Sequence, residues 1–205
     1  MLNNKGFTLI EILVSVMVFT IVMTVALGAL LAMSDSDRRA EALKSVVNNL
    51  DFALDSMSRT IRTGYSYHCG TTGSDLSTPG PQDCSGAGQS YFAFRSADNQ
   101  ATAYCLASGI IYREIINSGS LDTSCGSSNF SPMTSSEINI TNLQFVVTGS
   151  CPKSGTTCTG DSTQPKVTLL ISGAITLAGS AKLTSGAAST TFNVETSVTQ
   201  RIYDQ

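Results

Sequence analysis

Charge is scarce in this chain. Of its 205 residues only 12 are basic and 15 acidic, 13% in all, against roughly 25% in ordinary soluble domains. Ser, Thr, Gly and Asn supply the polarity instead, a composition suited to an extracellular surface. The net charge of −3 offers no basic footprint for a phosphate backbone, so a nucleic-acid partner is not expected. Histidine is almost missing. His68 stands alone and no C-x-x-C pair occurs, which argues against a zinc site. Asp75, Asp83, Asp98, Asp122 and Asp161 do not follow a calcium-loop spacing. We therefore expect no metal and no cofactor. His68 adjoins Cys69, but adjacency in a loop does not make a nucleophile–base pair, and the chain reads as a non-enzyme.

Cysteine is absent from the first 68 residues and then occurs six times, as Cys69, Cys84, Cys105, Cys125, Cys151 and Cys158. An even count at wide spacing, all beyond the apolar segment, points to disulfides in an oxidising compartment. Six cysteines allow fifteen pairings. The nearest-neighbour set is Cys69–Cys84, Cys105–Cys125 and Cys151–Cys158. The last closes only Pro-Lys-Ser-Gly-Thr-Thr and is the favoured one of the three.

What the chain has in abundance lies at its start. From Phe7 to Met33 it reads FTLIEILVSVMVFTIVMTVALGALLAM. As a helix this run is about 40 Å long at 1.5 Å per residue, more than the roughly 30 Å hydrocarbon core of a bilayer. A plain membrane anchor would explain it. A cleaved secretory signal fits less well, because its apolar region is about 7–15 residues. Neither explains Glu11. A charge in a membrane span costs roughly 2.5–3.5 kcal/mol at the centre even on lenient scales. Such a group calls for a functional partner, and the natural one is an amine.

Lys5-Gly6-Phe7-Thr8-Leu9-Ile10-Glu11, behind a short basic leader and ahead of a long apolar helix, resembles the processing motif of type IV prepilins and type II secretion pseudopilins. The resemblance covers the leader and about thirty residues of helix. It implies cleavage after Gly6 by a membrane prepilin peptidase, N-methylation of the new terminus at Phe7, and an assembly role for Glu11. Major pilins of this family often carry a proline near the position of Gly28. Its absence here leaves open whether the helix kinks there. Gly28 and Ala32 form a small-x-x-x-small pair, which ordinary membrane composition also explains.

Beyond Ser34-Asp35-Ser36-Asp37, apolar residues recur at Leu43, Val46, Val47, Leu50, Leu54, Met57 and Ile61. That spacing is an amphipathic helix. No proline interrupts residues 7 to 62, and Gly64 is a plausible stop. The expectation is one long helix, apolar over 7–33 and amphipathic over 34–63, followed by a β-rich head over 64–205.

Gly64–Ser90 is rich in Gly, Ser, Thr and Pro and reads as loop. Strands are expected at Tyr91–Arg95, Ala101–Leu106, Ile110–Ile115, Ile138–Thr148, Val167–Thr176 and Thr191–Arg201. The second and third form a hairpin about Ala107-Ser108-Gly109. In the last strand Phe192, Val194, Thr196 and Val198 face one way, so a sheet packs on the helix stripe. The fold class is α+β, an antiparallel sheet head packed on a long N-terminal helix. This element order weakly resembles the J-type minor pseudopilins and W-type minor pilins.

Taken together, the readings describe a structural subunit, a minor pilin or minor pseudopilin. Its expected partners are other subunits, the prepilin peptidase and the inner membrane. A single-pass helix would hold it there, with the head in the periplasm or outside, before it enters a pilus or pseudopilus. The alternative is an adhesin-like or DNA-uptake pilin whose loops at 64–90 and 117–136 bind a ligand.

Overall fold

A computed structural model describes residues 6–70, 81–117, 120–136, 138–151, 163–176 and 189–201. One helix, α1 (Leu9–Thr63), runs 55 residues, about 80 Å. Thr8 is its N-cap: its backbone is extended and its Oγ1 accepts from the Glu11 amide at 3.3 Å. The helix passes Gly28 without a break, so the missing proline leaves no interruption there. Gly64 ends it, as expected. A side chain at Gly64 would run into the Phe94 ring.

Nine strands follow: β1 (Tyr65–Gly70), β2 (Cys84–Gln89), β3 (Tyr91–Arg95), β4 (Ala101–Ala107), β5 (Ile110–Ile116), β6 (Ser131–Pro132), β7 (Ile138–Thr148), β8 (Lys166–Thr176) and β9 (Ser189–Thr199). They form two antiparallel sheets. The first has the order β1-β3-β4-β5-β6 and the second β2-β7-β8-β9. Two corrections follow. The expected single sheet is a pair, and the segment 64–90, read as loop, contains β1 and β2; residues 71–80 lie outside the described ones. Gly- and Ser-rich segments have poor strand propensity, but β1 pairs with β3 and β2 with β7. Ladder pairing overrides local preference here. The hairpin turn is also two residues, Ser108 (φ 49) and Gly109 (φ 76), a left-handed pair that matches strand twist.

The helix stripe starts at Leu43 and continues through Val46, Leu50, Ala53, Leu54, Met57 and Ile61. It joins Phe92, Phe94, Tyr104 and Ile111 of the first sheet and Leu143, Phe145, Leu169, Ile171 and Val198 of the second in one core. Phe92 stacks on Phe145 with ring centroids 4.9 Å apart. Val47 does not belong to the stripe: it is half exposed beside the buried Val46, while Ala53, not foreseen, is buried. The head also caps the end of the helix. The Tyr67 hydroxyl lies 2.7 Å from the Ile61 carbonyl oxygen, and the Arg201 amide donates to Arg62 O at 2.7 Å. Both satisfy carbonyls that a helix end otherwise leaves open.

Two disulfides match the nearest-neighbour expectation: Cys69–Cys84, tying β1 to β2, and Cys105–Cys125, tying β4 to the loop after β5. Cys151 is disulfide-bonded too; its expected partner, Cys158, lies outside the described residues. A second, smaller core forms on the outer side of the first sheet. There Tyr91, Ala93, Ala103 and Cys105 lie under Phe130.

Candidate assembly site at the helix N-terminus

Residues 6–41 are exposed without exception. Phe7 is 78% exposed and Leu9 83%, and the head buries none of the apolar span. Large exposed apolar surfaces mark contact with a membrane or another protein. Length and composition suffice to cross a bilayer.

The span is apolar nearly all round and carries a single carboxylate. Leu9, Ile12, Leu13, Val16 and Met17 form a single apolar stripe at helical spacing. Glu11 points to the opposite side, two residues, or roughly 200°, round from Leu9. Hydroxyls in the span are satisfied within their own helix. Ser15 donates to Glu11 O at 2.7 Å, Thr20 to Met17 O at 2.9 Å and Thr24 to Thr20 O at 2.7 Å. The Glu11 carboxylate has no side-chain partner among the described residues. Among the described residues it is the one polar side chain of the span without a side-chain or backbone partner.

Thr8-Leu9-Ile10-Glu11 also has capping-box spacing. Glu11 thus stands in the first turn, where a carboxylate favours the positive helix end. Gly6 and Phe7 precede the first helical turn and are exposed. The junction lies in no helix or strand and is not folded into the head.

The other residues singled out in the sequence sit elsewhere. Cys69 is bonded to Cys84, so it does not serve as a thiol for His68. His68 lies near Ser66, with Nε2 to Oγ at 3.3 Å, and burial followed by the Arg95 charge lowers its pKa. Asp83 accepts from the amides of Gly149 and Ser150 at 3.1 and 2.7 Å. Asp122 accepts from Ser127 and from Asn129. Asp75 and Asp161 lie outside the described residues. Among the described residues no His, Cys, Asp or Glu cluster is arranged to hold a metal.

Glu114 was not foreseen. It is buried in the outer core of the first sheet and accepts from the Asp122 amide at 3.0 Å. Burial raises its pKa, the Asp122 amide opposes this, and the Asp122 carboxylate adds to the rise. No sequence signal marks it, because Ile-Ile-Tyr-Arg-Glu-Ile-Ile gives neither face of β5 a clean alternation.

Residues 1–27 match the family described as Prokaryotic N-terminal methylation motif. The match covers leader, Gly6-Phe7 junction, Glu11 and most of the apolar span, and it supports a type IV pilin-like subunit. No curated protein and no solved structure matches the chain.

Proposed function

We propose that the chain is a minor pilin or minor pseudopilin, cleaved after Gly6, N-methylated on Phe7 and built into a filament through its bare helix. The observation that carries this is Glu11: a carboxylate without a partner among the described residues, on an apolar helix that its own head leaves uncovered, five positions after the glycine of a methylation motif. Cleavage places an ammonium on Phe7, next to the positive end of the helix. There it is repelled by the helix dipole unless a carboxylate is near. Pairing the Phe7 amine of one subunit with Glu11 of its neighbour meets both needs. At 4 Å such a pair gains about 4 kcal/mol at an effective dielectric of 20, before desolvation. In lipid the lone carboxylate is penalised and in the filament it is matched, so the pair favours transfer from bilayer to assembly.

Under this reading the inner membrane holds the single span and the head faces an oxidising space, in keeping with the paired cysteines. Prepilin peptidase and neighbouring subunits are its partners. The bare helix contributes assembly contacts, with no catalytic step. Terminal mass spectrometry on protein from its native envelope tests the reading. The expected first residue is Phe7, methylated. A terminus at Met1, or near Ala29 or Met33, overturns it.

A further inference from the structure

The two sheets have four edges, and three are blunted. β1 changes register between Tyr65 and His68, with Ser66 at φ 54. β2 changes register between Cys84 and Gln89, with Gly86 and Gly88 both at positive φ. β6 is two residues long and includes a proline. Bulges, shortness and proline are the usual guards against strand pairing. β9 has none of them. It runs 11 residues without proline or glycine, and it pairs with β8 in unbroken register from Lys166↔Thr199 to Thr176↔Ser189.

The free side of β9 can be assigned. Gln200 donates to Pro165 O at 3.0 Å, which makes the even positions the ones bonded to β8 in an antiparallel ladder. The amides and carbonyls of Thr191, Asn193, Glu195, Ser197 and Thr199 then point away from the sheet. The Arg201 amide, of the same parity, confirms the direction by donating outward to Arg62 O. That bond closes one end of the edge. Among the described residues nothing pairs with it between Thr191 and Thr199. The side chains of these odd positions are exposed. On the other face Phe192 and Val194 pack on the core but are only partly buried, so an added strand would cover their open flank. Glu195 is the only charged residue of β9 and has no ion-pair partner among the described residues.

We propose that the outer edge of β9 is a strand-addition site. Its occupant is an extended segment of a partner protein with apolar residues alternating with polar ones, and with a basic residue opposite Glu195. Backbone bonds would hold it along Thr191–Thr199, its apolar side chains would lie beside Phe192 and Val194, and its cation would face Glu195. The inference does not depend on filament assembly.

The test uses the full chain in detergent and the synthetic peptide Thr-Val-Thr-Val-Lys-Val-Thr-Val-Thr as probe, read by residue-resolved amide exchange. The peptide should slow exchange at the five outward amides and leave the even ones, already bonded to β8, unchanged. Asn193→Pro removes one outward donor without touching the β8 ladder. It should abolish the slowing while leaving the thermal midpoint of the head near that of the parent chain. Glu195→Lys lies on the exposed face and should weaken the peptide by roughly three- to tenfold through like-charge opposition. The proposal is overturned by unchanged outward amides at millimolar peptide, by equal slowing of both sets, or by outward amides already protected in the free chain. Protection that rises with protein concentration without peptide would give the edge to a second copy of the chain and overturn it as well.

Discussion

The two halves of α1 share a backbone and differ in everything that covers them. From residue 6 to 41 every side chain is exposed; from Leu43 onward one in three or four is driven into the head. Met57 and Ile61 are fully buried. The N-terminal half is apolar on nearly all sides and the C-terminal half on one stripe. A helix that is apolar all round needs a surrounding medium or a partner, and a striped one needs a sheet. The first half therefore stores its binding energy for something outside the chain, whereas the second has already used its own in folding. Mutations in the two halves should separate assembly from stability.

The largest expected effect belongs to the bare half. Glu11→Ala should insert at least as well as the parent chain and still be cleaved, yet fail to co-purify with sheared filaments. Its head should melt at the same temperature. Glu11→Gln sharpens the point, because glutamine keeps the capping-box spacing and loses only the charge. If Gln assembles normally and Ala does not, Glu11 acts as a cap rather than as an ion-pair partner. A subunit at the filament tip lacks a neighbour on one side and should show a milder loss.

Next is Met57→Ala in the packed half. Removing a fully buried side chain should cost the head about 2–5 kcal/mol, measured by denaturant or thermal unfolding, with processing at Gly6 unaffected. A cleavage defect in this variant would show that the halves communicate and break the comparison.

A smaller effect is expected at Glu114. Its folded pKa lies above the usual 4.5, so the native state holds the proton more tightly than the unfolded one. That stabilisation is complete below the unfolded value and is lost as pH rises through the folded one. Glu114→Gln keeps an oxygen to accept from the Asp122 amide. Its thermal midpoint relative to the parent chain should therefore rise as pH increases from below 4.5 through the raised folded value. A constant difference across that range would show that the carboxyl does not titrate there. The smallest effect is at Phe52, 74% exposed on the outer face of the packed half. Phe52→Ala should change head stability by less than about 0.5 kcal/mol.

Much of this was legible in the residues. The length of α1, its stop at Gly64 and six of the nine strands follow from period and punctuation. Those signals are strong because each element is long enough to repeat its pattern. β9 shows this best: Phe192, Val194, Thr196 and Val198 are the more buried positions and Asn193, Glu195 and Ser197 between them are exposed. β1 and β2 were missed for the opposite reason. Cys-Ser-Gly-Ala-Gly-Gln has little strand propensity, and in Tyr-Ser-Tyr-His-Cys-Gly two tyrosines make too short a pattern to mark a strand. They are strands because β3 and β7 offer them ladders and the Cys69–Cys84 bond holds them together.

The candidate site divides in the same way. Gly6, Phe7 and Glu11 lie within one six-residue stretch, so their motif is written in the sequence without help from folding. That Glu11 faces away from the stripe of Leu9, Ile12 and Val16 also follows from helical spacing alone. By contrast, the burial of Glu114, the exposure of Val47 and the open edge of β9 needed the tertiary structure. Each depends on which segment lies alongside, and a chain of short Ser/Thr-rich strands leaves that choice to long-range pairing rather than to local pattern.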